Sequence, residues 1–266
     1  MSKDDLRNEI PNLVSRLIQI PSVNPPGFTI NVASFIRDWL GGLGFSSEFR
    51  EYAKDKPNVI VKVGKGKPVL ILNGHMDVVP PGDDSRWTFS PFSGRVVEGK
   101  VYGRGATDMK GGLAVIMMVF AELAPIIEKQ GSGTLIFSAT ADEETGGHPG
   151  VEALVKDGIL IGDAAIIAEP SGSSRYYIGE KGLCQVKLVA RGRPAHGSLP
   201  VLGENAIMKL VRVISRAEEL ISEFNSGIKL PSELMEAIRN SAEVYLEAAK
   251  ASGLNLTLSD FERVVG

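Results

Sequence analysis

The stretch Val69-Leu70-Ile71-Leu72-Asn73-Gly74-His75-Met76-Asp77-Val78-Val79 decides how this chain is read. Its unbroken run of branched apolar residues fits a buried strand, and the run ends at Gly74 in a His-x-Asp triplet. In an extended chain residues two apart point to the same side, so His75 and Asp77 project together from the carboxyl end of that strand. One is a potential metal ligand. The other is a carboxylate able to orient it.

Upstream, Leu6, Ile10, Leu13, Val14, Leu17 and Ile18 follow helical spacing, with Pro21 beyond to stop the helix. Ser22 to Gly27 is a turn-rich break, and Val32, Phe35, Ile36 and Leu40 predict a second helix closed by Gly41-Gly42. Phe45–Tyr52 and Asn58–Val63 read as strands. Gly64-Lys65-Gly66-Lys67-Pro68 is a turn without the spacing of a phosphate loop.

Downstream, Pro80 to Arg104 reads as a long irregular stretch tied down by Trp87, Phe89 and Phe92, and long loops in compact domains tend to be functional. It leads through Asp108 to a helix marked by Leu113, Ile116, Met117, Phe120 and Leu123. Val115, Met118 and Val119 make that helix apolar nearly all round, which predicts burial. Gly133–Thr140 is a strand followed at once by Asp142-Glu143-Glu144, and a helix over about 151–156 leads to the strand Ala164–Ala168, which ends in Glu169-Pro170. Strands alternating with helices predict an α/β sheet, with 69–72, 134–137 and 164–168 as its buried central strands. Beyond about Tyr176 the pattern changes: Cys184, Val186 and Leu188 alternate with polar residues as in a half-wet strand. A helix carrying Ile207, Leu210, Val211, Ile214 and Ile221 follows, then a second over roughly 232–251. This predicts a catalytic domain over 1–175 and a smaller α+β domain over 176–266.

With 29 Lys plus Arg against 32 Asp plus Glu, the net charge is −3 and no basic stripe suggests a nucleic-acid partner. No window reaches the roughly 18 uninterrupted apolar residues of a membrane span. The polar start Met1-Ser2-Lys3-Asp4-Asp5 does not read as a secretory leader, and one cysteine, Cys184, excludes an internal disulfide. The expectation is a cytoplasmic protein.

Four groups fall at strand ends or just beyond: His75 with Asp77, Asp108, Glu143-Glu144, and Glu169. Ligands in open α/β sheets bind outside the carboxyl ends of the strands. Each group has a plain alternative: a structural His-x-Asp pair, an Asp108 helix cap, a solvated Glu143-Glu144 turn, an ordinary loop at Glu169. Gathered at one sheet edge, one His among carboxylates suits Zn²⁺, Mn²⁺ or Co²⁺.

Five motifs in order resemble the zinc-dependent exopeptidases and deacylases that include acetylornithine deacetylase, succinyl-diaminopimelate desuccinylase, carboxypeptidase G and aminoacylase. They are Gly74-His75-Met76-Asp77-Val78-Val79-Pro80, Tyr102 to Gly112, Asp142-Glu143-Glu144-Thr145-Gly146-Gly147, Glu169-Pro170 and Gly192-Arg193-Pro194-Ala195-His196-Gly197. The resemblance implies a mixed sheet flanked by helices, with a smaller ferredoxin-like lid or dimerisation domain. It implies two zinc ions, or Co²⁺ or Mn²⁺. His75 and Glu169 bind the first, Glu144 the second, and Asp108 bridges them. Asp77 fixes the His75 ring, and Glu143 is the general base that takes a proton from the bridging water and returns it to the leaving amine. His196 contacts the substrate carbonyl, commonly from the partner subunit of a homodimer. The implied reaction is hydrolysis of an amide in an N-acyl amino acid or small peptide.

The chain departs from that pattern in one respect. The family's second metal takes a further histidine late in the sequence, whereas the three histidines here are His75, His148 and His196. The chain ends at Gly266, inside the expected smaller domain, which reads as a truncated member with an incomplete site and little activity of its own. The alternative reading is a non-catalytic metal-binding or dimerising remnant. A one-metal aminopeptidase is a third, with Glu144 or Glu169 structural. His148 is expected on a surface loop, and Cys184 as a small core residue.

Overall fold

The computed structural model describes residues 3–260 apart from 173–175, 178, 180, 181, 183, 184, 228–230 and 252. Helices α1 (Lys3–Ile18) and α2 (Ile30–Gly42) precede strands β1 (Glu48–Glu51), β2 (Pro57–Lys65) and β3 (Val69–His75). A small antiparallel hairpin follows, β4 (Arg95–Val97) and β5 (Lys100–Tyr102), then helix α3 (Lys110–Gln130) and strand β6 (Gly133–Thr140). Helix α4 (Ala153–Lys156) and strand β7 (Ala164–Ile167) complete the first of two compact units, Met1–Gly179. The second unit, Glu180–Gly266, holds α5 (Ala206–Ser226) and α6 (Ser232–Ala251).

The main sheet has the order β1-β2-β6-β3-β7, antiparallel at β1-β2-β6 and parallel at β6-β3-β7. It is a mixed sheet flanked by helices. Alternation along each strand sorts the apolar side chains onto two faces. Val59, Val61, Leu72, Leu135 and Phe137 join the larger core with α1, α2 and α3. Ile60, Ile71 and Ile136 point the other way, onto Leu154 of α4 and Leu160. Each such side chain, fully buried, contributes about 1.5–3 kcal/mol.

The registers also carry the functional residues to one place. Gly74 pairs with Ala139 and His75 with Thr140, so β3 and β6 end together. Asn73 pairs with Ile167, which brings the residue two past Ile167, Glu169, level with His75. The first turn of α3 crosses this edge closely. A Cβ on Gly112 would collide with the carbonyl oxygen of Ala168, so only glycine lets the helix approach the chain just ahead of Glu169.

Several sequence expectations need correcting. Strand β7 is not a buried central strand: it is the sheet's edge, and all four of its residues are exposed, Ile166 at 54% and Ile167 at 59%. Among the described residues nothing pairs with its outer side. Helix α3 is not buried all round. Leu113, Met117 and Phe120 face the core, whereas Val115, Val119 and Ile126 are exposed. By length and composition α3 is one helix apolar enough to cross a membrane, but it packs on β3 and β6 as a core helix. The stretch from Pro80 to Arg104 contains the β4–β5 hairpin rather than irregular chain alone. In the second unit, residues 185–190 form no strand, and Val186 and Val189 are both exposed. Cys184 lies outside the described residues.

Candidate metal centre

His75 closes β3 with 2% of its surface exposed. Its Nε2 lies 3.0 Å from an Asp108 oxygen, 3.4 Å from a Glu169 oxygen and 3.7 Å from a Glu143 oxygen. One buried imidazole nitrogen therefore faces three carboxylates from three separate loops. Ligand atoms of His75, Asp108 and Glu169 all lie within 4.8 Å of one another. This donor set, one borderline nitrogen among hard oxygens, fits a divalent cation of the Zn²⁺, Mn²⁺ or Co²⁺ kind.

Asp108 does not cap α3. The helix begins after Met109 with no side-chain cap, and the Asp108 carboxylate is turned to His75 instead. Glu143 and Glu144 sit on one short turn that leaves β6 through Ala141 and Asp142. They diverge as adjacent side chains do: Glu143 reaches toward His75, whereas Glu144 accepts a hydrogen bond from the Val79 amide at 3.2 Å. Glu144 thus stands outside the three-residue group, beside Asp108, whose charge it feels.

Asp77 is wholly buried, and its geometry differs from the expected clamp on the imidazole. His75 Nδ1 lies 2.9 Å from the Asp77 carbonyl oxygen but 3.7 Å from the carboxylate. The backbone of Asp77 holds the ring. Its carboxylate accepts the amides of Glu143 at 3.1 Å and Glu144 at 3.2 Å, and the Asn24 side-chain amide at 2.7 Å. The charge adds its field to the imidazole while its hydrogen bonds go to the glutamate turn. Asn24 was invisible as a contributor from the sequence, where Ser22–Gly27 carries only turn signals.

The charges perturb one another strongly. Burial alone disfavours an imidazolium at His75, but contact with Glu169 and the charges of Asp77, Glu169 and Glu143 outweigh it, raising the pKa from 6.5 to about 9. Asp108 is nearer to the ring, but Glu169 is the less exposed of the two and so the better screened from water. Glu143 is raised by burial first, with Glu169, Glu144 and Asp77 adding to it and His75 opposing. Glu144 is raised by burial and by Asp108 and Asp77. Carboxylates that raise one another in this way are what a bound cation relieves.

Lys110 is a second finding that the sequence did not single out. It is fully buried, and its Nζ donates to the carbonyls of Leu17 at 3.0 Å and Ile20 at 2.7 Å, tying the end of α1 to the start of α3. Desolvation lowers its pKa to about 7, with Asp77 opposing. His148 is exposed and pairs with Glu152 one turn on, away from this chemistry. His196 belongs to the second unit, where it is exposed and its Nδ1 lies 2.8 Å from the Ser198 hydroxyl.

The chain is similar to known proteins over most of its length. A probable succinyl-diaminopimelate desuccinylase of Staphylococcus aureus is 38% identical over 195 residues, which cover 73% of this chain and 48% of that protein. A succinyl-diaminopimelate desuccinylase of Methylorubrum extorquens is 36% identical over 217 residues, covering 76% of this chain and 55% of that protein. The chain spans about half the length of the curated relatives it matches. Among solved structures, an M20 family metallo-carboxypeptidase from Sulfolobus solfataricus shares the fold, with a TM-score of 0.70 at 23% identity. The match covers 96% of this chain and 62% of that one. Residues 71–262 match peptidase family M20/M25/M40, and the chain belongs to that family.

Proposed function

We propose that this protein is a metal-dependent amide hydrolase that removes the acyl group from an N-acyl amino acid or cleaves a small peptide. The observation that carries the reading is the His75 imidazole facing Asp108, Glu169 and Glu143 at the carboxyl edge of the sheet. His75 and Glu169 would hold one cation, Glu144 a second, and Asp108 both. Two zinc ions, or Co²⁺ or Mn²⁺ in their place, supply Lewis acidity when bound, lowering the pKa of a water and polarising the scissile carbonyl.

The chain's own residues do the rest. Glu143 is the general base, a half-exposed carboxylate that reaches toward His75 from the turn after β6. It takes one proton from the attacking water, whose oxygen bonds to the carbonyl carbon. The C–N bond then breaks, and Glu143 delivers the proton to the departing nitrogen, leaving a carboxylic acid and an amine. Asp77 holds the backbone amides of both glutamates, and its carbonyl fixes the orientation of His75. His196 is the proposed contact to the substrate carbonyl. The relatives named desuccinylases favour an acyl amino acid over a long peptide. A homodimer formed through the smaller domain and a cytoplasmic location complete the proposal.

The test is release of free amine from a panel of N-acetyl and N-succinyl amino acids and dipeptides, before and after chelation and with Zn²⁺ or Co²⁺ restored. Metal-dependent turnover that Glu143→Ala abolishes, with metal content unchanged, is the expected result. Loss of metal from that variant would show that Glu143 is a ligand rather than the base. A protein that retains no divalent cation would end the reading.

A further inference from the structure

The turn that carries Glu143 and Glu144 is gripped from outside by residues that the proposed chemistry does not use. Asn58 of β2, fully buried, accepts the Ala141 amide at 3.0 Å through Oδ1 and donates through Nδ2 to the Pro149 carbonyl at 2.8 Å. It therefore clasps both ends of the turn. Asn24, also buried, spans the middle. Its Nδ2 lies 2.7 Å from Asp77 Oδ2, 3.2 Å from Asp142 Oδ1 and 3.0 Å from Thr145 Oγ1. Asn24 is itself fixed, since its backbone N–H donates to the Val78 carbonyl at 2.8 Å. Gly27 packs against it in a left-handed turn where a Cβ would strike the Asn24 side chain.

The charges require one more partner. Asp142 and Asp77 are two buried carboxylates sharing a single Asn24 amide, in a region already crowded by Glu143 and Glu144. Lys56, in the turn between β1 and β2, places its ammonium on Asp142 Oδ1 with little of either side chain exposed. That contact sets a positive charge against Asp142, next to the carboxylate holding the glutamate amides. Asp142 also adopts a left-handed backbone, with φ at 67°, a conformation that a non-glycine residue keeps only when its surroundings enforce it.

We propose that Lys56 and Asn24 are positioning residues for the Glu143-Glu144 turn, fixing through Asp142 and Asp77 the backbone from which both glutamates reach the metal centre. The metal-hydrolase reading gives the two glutamates their meaning, whereas the holding network stands on the contacts alone.

Two readouts on the intact protein test it. The first is amide hydrogen exchange at Glu143 and Glu144 in the metal-free protein, because those two amides donate to Asp77. In Lys56→Met they should exchange at least tenfold faster, while Leu135–Phe137 in β6 stay unchanged. Lys56→Arg should bring them back to within threefold of the parent. So should Lys56→Met with Asp142→Asn, which removes both charges and leaves an asparagine suited to the left-handed turn. The second readout is zinc affinity, which should fall at least tenfold in Lys56→Met and recover in the double variant.

Unchanged exchange at Glu143 and Glu144 in Lys56→Met overturns the proposal, as does faster exchange with unaltered zinc affinity. If Lys56→Met fails to fold, the double variant carries the test: slow exchange supports the network and fast exchange overturns it. If the parent protein binds no zinc, the hydrolase reading fails while the exchange experiment still decides the proposal.

Discussion

Strands β3 and β7 run parallel and side by side, and each delivers a proposed ligand, His75 at the end of one and Glu169 just past the other. Their support could hardly differ more. β3 has a strand on both sides and core on both faces, with Leu72 and Ile71 buried. β7 has β3 on one side, and among the described residues its outer edge and its side chains are open. The same contrast separates the ligands, since the His75 side chain is 1% exposed and that of Glu169 is 31%. One wall of the candidate metal centre is set by the core. The other is set by a single strand pairing, by the close passage of Gly112, and by whatever binds there.

The largest effect should come from paired residues on the two strands. Leu72 and Ile166 are direct neighbours in register. Leu72→Ala leaves a cavity in the main core and should cost about 2–5 kcal/mol in urea unfolding. Ile166→Ala removes an exposed side chain and should cost no more than about 0.5 kcal/mol. Equal losses would mean that β7 is covered in solution, and the contrast would collapse.

The second effect is a pH dependence carried by the buried side of the site. His75 has a folded pKa of about 9 against 6.5 unfolded, so the protonated form is favoured by folding. Its contribution is complete below pH 6.5 and is lost as pH rises through 9. It is on the order of 3 kcal/mol in the metal-free protein. The depressed Lys110 ammonium acts in the opposite sense over part of the same range, so the His75 contribution is read as the stability of the metal-free parent minus that of His75→Gln, a difference that should decline as pH rises from 6.5 through 9. Binding of Zn²⁺ at pH 7.5 should release a proton from His75, read as a dependence of the calorimetric heat on the buffer's ionisation enthalpy. A parent-minus-variant difference that stays constant between pH 6.5 and 9 would show that the imidazole is neutral before metal arrives.

A smaller change is expected at the open side. Glu169→Gln keeps an oxygen in place but removes its charge, and should weaken zinc binding, read by competition with a chelating dye. His75→Ala removes the one nitrogen donor of the group and should weaken it further. If Glu169→Gln proved the more damaging, the exposed wall would be the principal anchor and the buried one its accessory.

The same contrast explains what the sequence made legible. The run from Val69 to Leu72, followed by His75 and Asp77, located β3 and its terminal histidine because a buried strand and a strand-end histidine both leave local marks. Helices α1 and α2 were readable from their spacing. Ala164–Ala168 is equally apolar, yet its burial was misjudged, because composition says what a strand tolerates and not which neighbours it has. Val115 and Val119 of α3 misled for the same reason. Asp77 was recognised as a partner of His75, but its carboxylate went to the amides of Glu143 and Glu144, a contact between residues far apart in the chain that no local pattern encodes. Asn24, Lys56 and Lys110 escaped notice because each acts on backbone or charge brought to it by the fold.

The smallest predicted effect sharpens the comparison most directly. A cation held by His75, Asp108 and Glu169 would tie the chain after β7 to the end of β3 and to the start of α3. Local opening of β7 then requires release of a ligand as well as loss of its hydrogen bonds to β3, so bound metal lowers its open population by linkage. The amides of β3 are already held by two strands and gain little from the same event. Adding Zn²⁺ should thus slow hydrogen exchange in Ala164–Ile167 several-fold more than in Leu70–Asn73. Uniform slowing in both strands would indicate that metal acts through global stability. No slowing in β7 would mean that Glu169 does not share the cation with His75, and that the two strands deliver their residues to different tasks.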